Sequence, residues 1–297
     1  MNIIEVNDLT KTYGDLTAVD HISFTVEQGT MLGFLGTNGA GKSTAINMLS
    51  TLLRPDGGTA AVCGHRVGQE DDQIRRKIGI VYQQNVLDDL LSVRENLLCR
   101  GILHGASRSQ AAAQLDRLCQ ILKLEDILKK QYKTLSGGQK RRCEIAAALT
   151  HTPQVLFLDE PTTGLDPATR KDVWQIIETL RRDQNMTVFL TTHYMEEAAE
   201  ADRIIILDHG KIIASGPPFD LKERYAKDKL RLFCTQALSG LPQGSTPTPF
   251  GYEIPLDRTL DAIAILDMVR DRVDGFEVIQ GNMDDVFLNA VGTELEA

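Results

Sequence analysis

The feature that most constrains the fold is a glycine-rich segment, residues 36–44, which reads Gly-Thr-Asn-Gly-Ala-Gly-Lys-Ser-Thr. An apolar run over residues 30–35 precedes it and predicts a buried strand, and a helical pattern over residues 42–53 follows it. A strand, a glycine-rich turn and a helix in this order begin an α/β sheet. The fixed places of the phosphate-binding pattern GxxxxGK[ST] are filled by Gly36, Gly41, Lys42 and Ser43.

This segment suits a polyanion for physical reasons. Backbone N–H groups at a helix N-terminus bind phosphate oxygens, and glycines let the chain approach without a Cβ in the way. Lys42 supplies a cation for the β- and γ-phosphates, and the Ser43 hydroxyl is a ligand for Mg²⁺. A chance match is the alternative, which the flanking strand and helix disfavour. We expect ATP to be bound by Gly36, Thr37, Asn38, Gly39, Ala40, Gly41, Lys42, Ser43 and Thr44. The loop alone does not choose among kinases, GTPases and transport ATPases.

Two carboxylates follow a second apolar run, residues 155–158. That run predicts a central strand, and α/β sheets bind their ligands at the C-terminal ends of such strands. Asp159 is suited to hold Mg²⁺ through water, and Glu160 is suited to act as general base on the attacking water. The alternative is a pair of solvated residues at the start of a loop.

Two further polar residues follow predicted strands. His193 comes after the strand at residues 187–190, where it would reach the γ-phosphate and position the attacking water. Gln83 follows residues 78–82. Taken alone, the spacing favours a functional role for His193 over an ordinary position, whereas Gln83 is ambiguous, because an exposed amide at the end of a strand is usually an ordinary surface residue.

A second glycine-rich turn, Leu135-Ser136-Gly137-Gly138-Gln139, opens a predicted helix over residues 140–149. Physically it is a second possible anion site, although one nucleotide needs only one phosphate loop. This segment resembles the signature motif of ABC ATPases at all five positions. The resemblance covers residues 2–217, because the other motifs of that family follow in order.

The resemblance implies a P-loop NTPase core of the ABC ATPase type, an α/β fold. It implies that two copies meet head to tail, so that Ser136, Gly137, Gly138 and Gln139 bind in trans the nucleotide held by the other copy. Other matching residues take the family's roles by resemblance: Tyr13 stacks on adenine, Gln83 senses Mg²⁺ and touches the membrane partner, Asp166 lies in the dimer-facing loop and His193 is the switch histidine. With Lys42 and Glu160, His193 forms the expected catalytic set.

Three residues depart from the commoner family pattern or invite another reading. Thr37 stands where the family usually has proline or another small residue, which should be tolerated. Ala147 replaces a frequent arginine, which puts a surface or dimer contact in doubt but not catalysis. Cys143 lies in the same helix and suits packing better than redox chemistry.

The sequence predicts an ATPase domain over residues 1–217 and an extension over residues 218–297. The first begins with an antiparallel β subdomain, with strands at residues 3–6 and 22–26 and turns at Gly14 and Gly29. An almost entirely helical block, residues 92–130, lies within an inserted subdomain of about residues 90–150. The extension reads as α+β: helices at 219–225, 260–270 and 283–291, strands at 230–235 and 276–279, and a loop at 238–250.

The tail Met283-Asp284-Asp285-Val286-Phe287-Leu288 resembles the drug, antibiotic and polysaccharide export branch of the bacterial ABC ATPases. That branch implies a homodimer, or a heterodimer with a second ATPase subunit, beneath a separate multi-span permease. Alternatives are a soluble ATPase acting on ribosomes or DNA, a non-catalytic cassette and an importer motor. A single cassette and the intact Lys42, Asp159, Glu160 and His193 disfavour the first two.

Composition agrees with this prediction. The formal charge of −9 does not favour a nucleic-acid partner. Five scattered cysteines suit free thiols in a reducing compartment. We see no signal-peptide pattern and no apolar run of the ~20 residues that a membrane span requires. We therefore expect a peripheral protein on the cytoplasmic face of the membrane.

Overall fold

The computed structural model describes residues 1–295, together with the side chains of all of these except residues 184 and 293–295. The chain packs as two compact units. The first comprises residues 1–194 and 201–212, and the second comprises residues 195–200 and 213–297.

The first unit begins with an antiparallel sheet. Its strands are β1 (Asn2–Tyr13), β2 (Leu16–Glu27), β4 (Gly57–Val62) and β5 (His65–Arg66), in the order β2-β1-β4-β5. The predicted antiparallel pair is therefore correct but longer than predicted, and Gly14 makes the turn with a φ of 58°. β4 and β5 were not predicted, because glycine and alanine in β4 carry little β-propensity and its pairing with β1 is a long-range contact.

A six-stranded sheet carries the motifs. Its strands are β3 (Met31–Gly36), β6 (Ile78–Val81), β7 (Val155–Asp159), β8 (Thr187–Thr192), β9 (Arg203–Asp208) and β10 (Lys211–Gly216), in the order β10-β9-β3-β8-β7-β6. The pairs from β9 to β6 are parallel. The strands β3, β7 and β8 are almost entirely buried, which explains their continuous apolar sequence. Parallel strands end at one edge, so the residues that follow β3, β6, β7 and β8 are brought together.

The helices of the first unit connect these strands. They are α1 (Lys42–Leu49), α2 (Asp71–Arg75), α3 (Val93–Leu103), α4 (Arg108–Leu122), α5 (Gly137–Ala148) and α6 (Pro167–Gln184). On α4 the residues Ala111, Leu115, Leu118 and Leu122 are buried, as their spacing predicts. None of the helices within residues 1–295 is long and apolar enough to cross a membrane.

Two predicted helix boundaries were wrong. The helix predicted to reach residue 53 ends at Leu49, because Thr51 adopts a left-handed φ of 66°. The block predicted as almost entirely helical, residues 92–130, contains α3 and α4, which Gly105 separates with a φ of 91° before Ser107 caps α4. The signature helix begins at Gly137 and not at residue 140, because Ser136 caps it.

In the described residues up to 295, the second unit contains an antiparallel sheet and four α-helices. The strands are β11 (Asp228–Phe233), β12 (Thr246–Thr248), β13 (Gly251–Leu256) and β14 (Gly275–Ile279), in the order β12-β13-β11-β14. The helices are α7 (Met195–Ala198), α8 (Pro218–Tyr225), α9 (Asp261–Val269) and α10 (Met283–Leu295). Leu230, Leu232, Ile254 and Ile265 form its core. The predicted loop at 238–250 is wrong in part, since β12 lies within it, and β13 was missed. Proline in both strands, and glycine at the start of β13, hide the β pattern.

Candidate functional site

The phosphate loop joins β3 to α1 at the edge of the central sheet. Gly41 is the N-cap of α1 with a φ of 102°, and a Cβ there would overlap the carbonyl oxygen of Ala18. A Cβ at Gly36 would similarly overlap the carbonyl oxygen of Leu207. No side chain caps α1, so its first N–H groups are available to an anion. The geometry thus requires glycine where the motif places it.

Lys42 is buried beneath this loop. Its Nζ donates hydrogen bonds to the carbonyl oxygens of Gly36, at 2.8 Å, and Thr37, at 3.0 Å. Burial lowers the pKa of Lys42 from its usual value, and the carboxylates of Glu160 and Asp159 partly offset this effect. The ammonium group therefore lies near both carboxylates without a direct ion pair to either in the described part of the chain.

Asp159 ends β7 and Glu160 follows it, at the C-terminal end of the strand as predicted. Asp159 Oδ1 accepts a hydrogen bond from Thr191 Oγ1 at 2.6 Å. The backbone N–H of Glu160 donates to the Thr191 carbonyl oxygen at 3.1 Å, and Glu160 has a left-handed φ of 47°. Such a backbone conformation is strained for a residue with a side chain, and strain of this kind concentrates at functional sites.

The structure brings Gln83 and His193 to Glu160. Glu160 Oε2 accepts hydrogen bonds from Gln83 Nε2 at 3.0 Å and from Thr163 Oγ1 at 3.1 Å, and it lies 3.4 Å from His193 Nδ1. The Glu160 side chain is only 13% exposed, whereas that of His193 is 40% exposed. The Glu160 Oε2 atom is therefore approached by three residues that lie up to 110 positions apart in the sequence, namely Gln83, Thr163 and His193.

The signature turn has a different setting. Ser136 accepts from the backbone N–H of Gln139, and the Gln139 side chain accepts from the backbone N–H of Ser136, which forms a capping box at the start of α5. Among the residues described, no hydrogen bond joins this turn to the phosphate loop of the same chain. The turn instead contacts α6, where a Cβ at Gly138 would overlap the side chain of Thr169.

The remaining predicted residues lie on the surface. Asp166 caps α6 by accepting a hydrogen bond from the backbone N–H of Thr169 at 3.1 Å. Tyr13 ends β1 and is half exposed, with Lys11 Nζ at 5.7 Å from its ring centroid. An exposed ring of this kind is available to stack on a planar base.

The oxygen ligands present fit Mg²⁺. Mg²⁺ commonly uses one or two carboxylates together with substrate phosphates and water, in place of a full protein cage. Accordingly, residues 1–295 contain no cluster of three or more His, Cys, Asp or Glu side chains that would hold a metal alone. The Asp159 carboxylate, the Ser43 hydroxyl and the Gln83 amide oxygen remain suitable ligands, since Gln83 contacts Glu160 through its nitrogen.

Sequence reasoning missed Arg141, which joins the signature helix to the carboxylates. Its guanidinium donates to the carbonyl oxygens of Tyr82 (2.5 Å), Asp159 (3.3 Å), Glu160 (3.0 Å) and Pro161. Arg141 is buried, which is rare for arginine. A charged residue on the inner face of the signature helix was the only local signal.

A cavity of about 220 Å³ lies between the central sheet and α3 and α5, and its lining includes Tyr82 and Val86, which flank Gln83 in the sequence. Arg75, Arg100, His104 and His151 line it, and the His104 and His151 rings stack at 3.8 Å. Its one lining carboxylate, Glu144, accepts hydrogen bonds from Val86 N, Leu87 N and Tyr132 Oη. Of the two lining arginines, Arg75 pairs with Asp72 at 3.1 Å, whereas Arg100 makes no ion pair with any described residue.

The cysteines show no redox arrangement. All five are free thiols, and Cys119 and Cys143 are buried. Burial raises the pKa of the Cys143 thiol to about 12. Cys143 therefore stays protonated and packs in the core, as the sequence suggested.

Comparison with known proteins supports these observations. The family described as "ABC transporter" matches residues 19–163. The chain is 42% identical to the daunorubicin/doxorubicin resistance ATP-binding protein DrrA of Streptomyces peucetius, over 97% of the chain and 92% of that protein. It is 36% identical to the Nod factor export ATP-binding protein I of Paraburkholderia xenovorans, over 99% of the chain and 98% of that protein.

Solved structures agree on the fold. A dimeric post-hydrolysis state of the ATP-binding cassette MJ0796 bound to ADP and Pi is 30% identical, with a TM-score of 0.64, and the match covers 72% of this chain and 98% of that one. The cbiO1 protein from Clostridium perfringens, part of the transporter complex cbiONQ, is 27% identical, with a TM-score of 0.69, over 74% and 90% of the two chains.

Proposed function

Because the chain belongs to the ABC transporter family, we propose that it is the motor subunit of an exporter whose permease is a separate polypeptide. The chain is an ATP-binding cassette, and ATP hydrolysis is the general activity of such cassettes. The observation that carries the exporter assignment is the full-length similarity to drug resistance and Nod factor export ATP-binding proteins, which extends through the second unit. Neither of these relatives is named for import or for action on ribosomes or DNA.

ATP binding is proposed to use both glycine-rich turns. The phosphate loop, Gly36 to Thr44, would bind the phosphates through its N–H groups and Lys42, while Tyr13 stacks on adenine. The signature residues Ser136–Gln139 would close on the nucleotide of a second copy, with Asp166 in the facing loop. The dimeric MJ0796 cassette supports this arrangement, and so does the absence of a hydrogen bond from the signature turn to its own phosphate loop among the described residues.

Hydrolysis is proposed to depend on Glu160. Its carboxylate would accept a proton from the attacking water, with His193 and Gln83 positioned at the same oxygen and Lys42 stabilising charge on the γ-phosphate. Mg²⁺, held through Ser43, Asp159 and Gln83, would neutralise charge on the phosphates. Opening and closing of the dimer would follow ATP binding and phosphate release.

The permease is proposed to contact the cavity between the central sheet and α3 and α5. The guanidinium of Arg100, which makes no ion pair with any described residue, fits an acidic side chain on the permease segment that docks there. Exposed apolar side chains at Leu103 and Leu90, on α3 and in the loop before it, would add contact area. A movement of the Gln83 loop would thereby reach the permease.

The remaining assignments follow from this function. We propose that the protein is peripheral on the cytoplasmic face of the membrane. We propose residues 1–217 as the ATPase domain, with the helical subdomain at about residues 90–150, and residues 218–297 as an extension. The transported substrate is determined by the permease.

The test is affinity purification of the Glu160→Gln variant, with ATP, from detergent-solubilised native membranes. Removal of the base should lower ATPase activity by at least about 100-fold and hold the ATP-bound dimer. We expect one multi-span permease to co-purify, and less of it with Arg100→Glu than with the control Arg108→Glu, an exposed arginine outside the cavity. A solute-binding protein among the partners would indicate an importer, and ribosomal or DNA-repair proteins without a permease would contradict transport.

A further inference from the structure

Tyr194, which lies outside the proposed nucleotide site, contacts His193, and Arg170 in turn contacts Tyr194. The Tyr194 ring packs on the His193 ring, with centroids 4.1 Å apart and planes at 38°. Arg170 Cζ lies 3.9 Å from the centroid of the Tyr194 ring. A guanidinium at this distance is attracted to the ring by its quadrupole. Tyr194 is therefore held between a cation and the imidazole.

Arg170 is itself fixed by the first turn of α6. Its Nε donates to the carbonyl oxygen of Leu165 at 3.3 Å, and its backbone N–H donates to that of Asp166 at 2.9 Å. The same turn contains Thr169, whose side chain packs against Gly138 of the signature turn. One helical turn thus touches the signature motif on one side and, through Arg170, reaches Tyr194.

His193 needs such support. Its side chain is 40% exposed, and its nearest described partner, Glu160 Oε2, lies at 3.4 Å, beyond an ordinary hydrogen bond. Without further contacts, an exposed ring would sample several rotamers. The backbone at Tyr194 is held in place, because its N–H donates to Thr192 Oγ1 at 3.0 Å and Thr192 is buried.

We propose that Tyr194, held by Arg170, is a positioning residue that keeps the His193 imidazole directed at Glu160. The inference rests on the role proposed for His193 in ATP hydrolysis. The same contacts would couple the signature turn to His193 within one subunit. A displacement of the signature turn by the partner's nucleotide would move the first turn of α6, and Arg170 and Tyr194 would carry that displacement to His193.

The first experiment compares steady-state ATP hydrolysis of single variants. Tyr194→Leu removes the ring and should lower kcat about tenfold, with KM for ATP changed by less than about twofold, because cation–π and ring contacts orient His193 but do not bind ATP. Tyr194→Phe keeps the ring and should retain most of the activity. Arg170→Ala should resemble Tyr194→Leu, and it provides the same test if Tyr194→Leu does not fold.

The matched control is Tyr225→Leu. The Tyr225 ring also lies near an arginine, with Arg224 Cζ at 5.7 Å from its centroid, but it belongs to α8 of the second unit. Its replacement should leave kcat unchanged. Thermal unfolding midpoints of all variants separate a loss of positioning from a loss of folded protein.

The decisive comparison repeats Tyr194→Leu in a His193→Ala background. If Tyr194 acts through His193, the second substitution should lower kcat by less than about twofold, because coupled residues are not additive. A full tenfold loss in both backgrounds, or an equal loss with Tyr194→Phe, would overturn the proposal. If His193→Ala alone keeps wild-type kcat, the role proposed for His193 fails; if it lowers kcat while Tyr194→Leu does not, only the positioning role fails.

Discussion

Glu160 combines a functional carboxylate with a left-handed backbone, at φ 47°. A side chain in that region costs about 1–3 kcal/mol and persists only when neighbours determine it. The neighbours here are Thr191, which accepts the Glu160 N–H, and Arg141, which donates to the carbonyl oxygens around the bend. The position of the carboxylate is therefore set by its backbone partners.

Replacement of Arg141 should show the strength of this support. Arg141→Ala should lower the free energy of unfolding by about 3 kcal/mol, because buried carbonyl groups lose their donors and a cavity forms. Urea unfolding measures the loss, and Arg117→Ala, an exposed arginine on α4, is the control. ATPase activity should fall as well, since the bend at Glu160 relaxes. Equal stability of the two variants would contradict the supporting role of Arg141.

At the scale of elements, the helix N-termini divide into two kinds. Serine or aspartate side chains cap α3, α4, α5 and α6, whereas no side chain caps α1, α2, α8 or α9. A cap satisfies N–H groups that would otherwise need water or a ligand. The helix that follows the phosphate loop is thus left open to an anion, and the capped signature helix has Ser136 as both cap and proposed ligand.

Ser136 and Ser107 each form a capping box. Comparing the two serines therefore separates the capping role of Ser136 from its proposed role as a ligand in trans. Ser136→Ala and Ser107→Ala should each cost about 1 kcal/mol of stability, because each removes one cap. In a Glu160→Gln background with ATP, only Ser136→Ala should prevent dimerisation, which size-exclusion chromatography measures. ATP-dependent dimerisation of the Ser136→Ala variant at wild-type strength would exclude the proposed ligand in trans.

At the scale of the whole molecule, the stability should depend on pH through His151. His151 Nε2 lies 2.8 Å from the Ile78 carbonyl oxygen and Nδ1 is buried without a partner in the described residues, so the neutral ring is favoured. Burial, and then the neighbouring His104, lower the pKa of His151 to about 4. Burial and Arg100 also lower the pKa of His104. The cavity that holds both rings therefore disfavours their protonation.

The sign of this dependence follows from linkage. The unfolded chain binds a proton at His151 near pH 6.5, whereas the folded protein does so only near pH 4. The neutral His151 ring therefore contributes fully to the free energy of unfolding above pH 6.5. This contribution, at most about 3 kcal/mol, is lost as the pH falls towards 4. His151→Gln should reduce the slope of unfolding free energy between pH 6.5 and 4.5. An unchanged slope would contradict the shifted pKa.

Sequence alone determined the chemistry and much of the fold. The phosphate loop, the carboxylates after β7, the signature turn and the alternation of strands and helices were predicted, because residue type and periodicity are local properties. The α/β class and the family are confirmed. The individual site roles stay proposals, although the predicted residues Gln83, Glu160 and His193 do meet.

Only the tertiary structure decided which strands are neighbours. The order β3-β8-β7-β6 places the ends of strands from distant parts of the chain side by side, and that order brings Gln83 and His193 to one oxygen of Glu160. The missed strands β4, β5 and β13 and the buried Arg141 have the same explanation. Their stability comes from partners far away in sequence, and such pairing leaves little trace in the local pattern.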